Sequence, residues 1–126
     1  ESLAQQPQWH GNAFNFGPKA EQNHTVVDLL EDLSQQWGFE NSSEAYKIIE
    51  NIPFHEAGLL KLNCDKSLFY LKWESNLIYD ETIKFVGDWY TAFYCDKVDM
   101  YKLTLEQIEK YEKIAIERKK PWSQII

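Results

Sequence analysis

The chain has 126 residues, 44% of them apolar, and a net charge of −7 from 20 Asp/Glu against 13 Lys/Arg. That balance excludes an intrinsically disordered chain and suits one packed core. No apolar run approaches the roughly 18–20 residues needed to cross a bilayer, and an acidic body disfavours nucleic acid as a partner. The acidity is uneven: residues 1–101 hold 7 basic against 16 acidic side chains, residues 102–126 hold 6 against 4.

Residues 1–24 mix Gln, Asn, Gly and Pro with isolated aromatics and read as an irregular leader. Residues 25–126 then form a single compact domain, against which Trp9, Phe14 and Phe16 are expected to tuck. Thr25 caps a first helix with Asp28 in its opening turn. Val26, Leu29, Leu30, Leu33 and Trp37 follow helical spacing, and Gly38 supplies a stop. A second, shorter helix is expected over Asn41–Glu50, ended by Pro53.

The period then changes to two. Leu60, Leu62 and Cys64 alternate with Lys61 and Asn63; Phe69, Leu71 and Trp73 alternate with Tyr70 and Lys72. Such alternation is a strand signature. Residues 80–95 allow a helix or a hairpin turning at Gly87-Asp88, and aromatic density favours the hairpin. A C-terminal amphipathic helix opens on a Thr104/Gln107 capping box, carries the stripe Leu105, Ile108, Tyr111 and Ala115, and stops before Pro121. Trp122, Ile125 and Ile126 suit a tail that folds back. The expected fold is α+β: N-terminal helices, an antiparallel sheet of about four strands, and a C-terminal helix.

Cys-Asp-Lys-x-x-x-Tyr occurs twice, at 64–70 and 95–101. The flanks do not match, so the two copies read as similar strand ends rather than a repeat. Cys64 and Cys95 read as free thiols; as a bridge, together with the glycosylation triplets at Asn23 and Asn41, they would imply a secreted domain instead of a cytoplasmic one. His-Glu-Ala-Gly-Leu at 55–59 lacks the second His of a zinc-protease helix. Two cysteines and the scattered His10, His24 and His55 assemble no ligand set, and no Gly-rich phosphate loop occurs. The sequence thus implies no catalytic residue, no metal and no cofactor.

Aromatic surplus on the expected strands offers a binding face. With Trp89, Phe93 and Cys95 inward, Tyr90 and Tyr94 face outward, joined by Tyr70 and rimmed by Asp80, Asp88 and Asp96. Tyrosines framed by carboxylates suit a basic protein partner. The function expected is a non-enzymatic, acidic protein-binding domain, in its most concrete form an immunity or antitoxin-type inhibitor of a basic toxin such as a nuclease. The alternatives are a pocket for a small apolar ligand between sheet and helices, and the secreted, disulfide-linked domain.

Overall fold

In a computed structural model, which describes residues 2–18, 22–49 and 62–124, the secondary structure is helical throughout and no strand occurs among the described residues. The α-helices are α1 (Ser2–Gln5), α2 (Val26–Gln36), α3 (Asp65–Leu71), α4 (Tyr79–Tyr94) and α5 (Met100–Glu117), with 3₁₀ turns at Pro7–Trp9, Ser42–Glu44 and Pro121–Gln124. The expected α+β fold with its antiparallel sheet is therefore wrong. Residues 80–94 of the expected hairpin lie in the 16-residue α4, with Cys95 as its C-cap, and Phe69 to Leu71, expected as a strand, lie in α3.

Both errors have one physical source. Aromatic enrichment reports a half-buried surface rather than an intrinsic backbone preference. A six-residue alternation also places Leu68 and Leu71 three apart, on one helical face. Local polar chemistry decides for the helix at α3: the Asn63 side chain accepts from the Asp65 N–H at 2.9 Å, and Asp65 stands in the first turn. The expected helix over Asn41–Glu50 shortens to the single turn Ser42–Glu44, with extended backbone at Asn41. His55, Leu60 and the His-Glu-Ala-Gly-Leu stretch lie outside the described residues.

The chain divides into two compact units, Glu1–Asn23 with Leu59–Ser75, and His24–Gly58 with Asn76–Ile126. In the first unit the leader packs on α3. Trp9 meets Tyr70 with ring centroids 4.0 Å apart, and Phe16 meets Trp73 edge-on at 5.0 Å. Polar tethers fix the same loop. The fully buried Ser67 hydroxyl lies 2.7 Å from both the Asn15 and Cys64 carbonyls, and Lys66 donates to Asn12 Oδ1 and the Ala13 carbonyl. Lys72, in the left-handed region at φ 53°, ends α3.

In the second unit α4 packs on both α2 and α5. Thr25 and Asp28 form a reciprocal capping box at the start of α2, as their spacing predicts. Its end is a Schellman motif: Gly38, at φ 78°, donates to the Gln35 carbonyl and Phe39 to that of Ser34. Helix α5 begins five residues earlier than the Thr104 box predicts, because Asp99 accepts from the Tyr101 and Lys102 N–H groups. Thr104 and Gln107 instead serve packing: Thr104 Oγ1 accepts from Trp89 Nε1 at 3.0 Å, and Gln107 donates to the Phe85 carbonyl at 2.9 Å. A second Schellman arrangement closes α5 on Lys119, a left-handed residue at φ 52°. Pro121 follows, and Trp122 folds back to stack on Tyr111 at 5.9 Å.

The buried apolar residues of this unit are Ile83, Ala92 and Ala115. Small residues let the helices approach closely. A Cβ at Gly87 would lie 2.7 Å from Gln36 Cβ, so only glycine fits where α4 crosses α2.

Candidate functional site

Two groups of side chains stand out, both on α4. The first surrounds its opening turn. Tyr79, the first residue of the helix, donates its hydroxyl to Asp32 Oδ2 at 2.8 Å, and the His24 ring lies parallel to its ring at a centroid distance of 3.5 Å. Burial, and after it the Asp32 hydrogen bond and the charges of Asp32, Asp28 and Asp80, push the Tyr79 phenol up to about 12. It is a held hydrogen-bond donor, not a proton source near neutrality.

Two residues along, Glu81 accepts from the Ile78 N–H at 2.9 Å, which supplies the acidic half of a capping box. Both Glu81 oxygens also receive the Arg118 guanidinium, at 2.9 and 2.7 Å. The Arg118 hydrogen bonds lead in holding the Glu81 carboxyl below its ordinary value. The guanidinium donates as well to the backbone carbonyl of Asn76, a residue only 4% exposed whose amide donates to the Tyr111 carbonyl at 2.9 Å. In sequence this single arginine stands beside Lys119 and Lys120 near the chain's end. The structure makes it a bidentate clamp between the end of α5 and the start of α4.

The second group is the aromatic face of the later turns of α4. Tyr90 and Tyr94 stack at 6.3 Å, Trp89 and Phe93 at 5.5 Å, and Trp37, the C-cap of α2, stacks beside Tyr90 at 6.4 Å. Tyr94 is 70% exposed and Phe93 52%. Four-residue spacing on a helix explains the two ladders.

The residues expected on one sheet face are distributed differently. Tyr90 and Tyr94 stand together, but on a helix, and Phe93, expected inward, is exposed beside them. Asp80 lies in the first turn of α4, and Asp88 pairs with Lys84 at 3.1 Å. Asp96 follows the Cys95 C-cap and is exposed. Tyr70 belongs to the other unit, against Trp9 and Phe69. The two Cys-Asp-Lys copies sit at opposite helix ends, the first opening α3 and the second closing α4, so neither is the strand end expected. Cys64 and Cys95 are free thiols. Among the described residues no group of three or more His, Cys, Asp or Glu side chains is placed to hold a metal ion, and no helix is long and apolar enough to cross a membrane.

Comparison with known proteins finds a curated relative. The chain is 33% identical over 82 residues to the CDP-glucose 4,6-dehydratase of Salmonella typhimurium strain LT2, a stretch covering 64% of this chain and 21% of that enzyme. This chain therefore spans about a fifth of its relative's length. No family model matches, and no solved structure matches.

Proposed function

We propose that the chain works as a supporting segment of a nucleotide-sugar dehydratase, packing on a larger catalytic body and helping to hold a nucleoside diphosphate sugar. The observation that carries this reading is the 33% identity over 82 residues to an enzyme named for CDP-glucose. The surface of the second unit agrees with such a role. Among its described residues the buried apolar ones are few and mostly small, while Phe93, Tyr94 and Tyr101 lie open. Exposed aromatic area on that scale commonly packs on something further.

Charge distinguishes the two units as substrate supports. The first has four basic and four acidic residues and is neutral by sequence; the second has nine against sixteen and carries the whole −7. A diphosphate is repelled less by the neutral unit, whose loop exposes Asn15 and Phe16. The test is a chimera in which the 82 matched residues replace their counterpart in the Salmonella enzyme. Retained dehydration of CDP-glucose by a folded chimera is expected. A folded chimera that binds CDP-glucose no better than buffer would overturn the proposal.

A second reading rests on the Trp37–Tyr90–Tyr94 ladder within the acidic unit. In it the ladder docks a basic protein, tyrosine rings meeting Lys or Arg while net charge speeds encounter. Its mark is association with a cationic protein that slows steeply as salt rises, and that Tyr94→Ala weakens. Salt-independent association would rule it out.

A further inference from the structure

The chain enters the second unit twice, at residues 23–24 and 75–76. On the second unit's side, each passage begins with a residue held at the same place. His24 stacks on Tyr79 at 3.5 Å, with interplanar angle 3°, and the next residue, Thr25, caps α2. Asn76 is buried, bonded through its amide to Tyr111 and through its carbonyl to Arg118. Tyr79 and Glu81 are the first and third residues of α4, and Glu81 holds Arg118 from that turn.

We propose that the first turn of α4 is a shared anchor: it holds both entry residues of the second unit, His24 and Asn76, so that loosening either the Arg118 clamp or the Tyr79 stack releases the two together. The physical reason is the stiffness of one helical turn. Glu81 is tied to the Ile78 N–H, and Thr82 Oγ1 donates to the Ile78 carbonyl at 3.0 Å, so the turn moves as a piece. Tyr79 lies inside that piece and carries His24 with it. If Arg118 lets go, Glu81 frays, the N-cap frays with it, and the ring beneath His24 loses its fixed position. The anchor does not depend on the dehydratase reading.

Amide hydrogen exchange on the 126-residue chain tests it. Arg118→Ala is expected to speed exchange roughly tenfold over residues 76–82 and to raise it over 24–28 as well, with 86–94 unchanged. Tyr79→Leu should act in reverse, loosening 24–28 and, through the turn, 76–78. A rise confined to the mutated side in both variants would overturn the shared anchor, as would an equal rise everywhere. Should alanine unfold the chain, Arg118→Lys, which keeps the charge without the fork, is read the same way: 24–28 must rise with 76–82, or the coupling does not exist.

Discussion

The two units solve the same problem, ordering a polar and aromatic-rich chain, with different devices. The first has helices of only four and seven residues, too short to hold their shape unaided. It relies on side chains that reach far along the sequence to backbone carbonyls: Ser67 to Asn15, Lys66 to Ala13, Asn15 to Asn63. Paired rings, Trp9 on Tyr70 and Phe16 on Trp73, complete it. The second has helices of 11, 16 and 18 residues, capped at their ends and packed through small residues. Tethered loops are sensitive to single polar groups; capped helices are sensitive to volume at their crossings.

That contrast can be broken most forcefully at Gly87. Gly87→Leu should cost about 3 kcal/mol, the upper end of overpacking costs, because Gln36 Cβ cannot move without its backbone. Urea denaturation would read it, and an unchanged midpoint would mean that α2 and α4 do not cross as closely as described. In the first unit, Ser67→Ala adds no volume yet should cost about 1.5 kcal/mol, since the fully buried hydroxyl's hydrogen bonding to the Asn15 and Cys64 carbonyls is lost. Faster exchange in α3 would mark the loss.

Arg118→Ala comes next, at about 1 kcal/mol, discounted because the Arg118 and Glu81 side chains keep 33% and 27% of their exposure. Its signature is in pH. The Glu81 carboxyl titrates below its ordinary value of 4.5 when folded, so the clamp's contribution is present above that value and disappears as pH falls through the lower, folded value. The variant should therefore lose stability near neutrality and show a flatter acid limb than the parent. At the other end of the scale, Tyr79 rises from an ordinary 10.0 to about 12, so stability should decline as pH climbs through that interval, and Tyr79→Phe should remove this part of the decline. The smallest effect is a gain. Lys119 occupies a left-handed conformation at φ 52°, and Lys119→Gly should stabilise by about 0.5 kcal/mol, visible as a slightly raised midpoint.

The candidate site was legible only where it is local. Tyr90 and Tyr94 were picked out by their aromatic character, and they do lie side by side and open. The geometry expected for them, a sheet shared with Tyr70, failed because period-two alternation over so few residues also fits a helix. Arg118 was missed for a different reason. Nothing near it in sequence is its partner: Glu81 lies 37 residues away and Asn76 lies 42. Tyr79 was overlooked likewise, as its partners His24 and Asp32 precede it by some fifty residues.

The sequence alone determined what a few neighbouring residues can settle: the Thr25–Asp28 cap, the glycine stop at Gly38, the amphipathic C-terminal helix and its end before Pro121. Each rests on hydrogen bonds or backbone conformations within about one turn of chain. Tertiary structure decided whether residues 80–95 coil or extend. It also set the division into a neutral and an acidic unit, and which carboxylate meets the single arginine. Those outcomes depend on faces contributed by distant segments. Gly87 must find Gln36 and Ala92 must find cover before a helix with two buried sides outcompetes a hairpin.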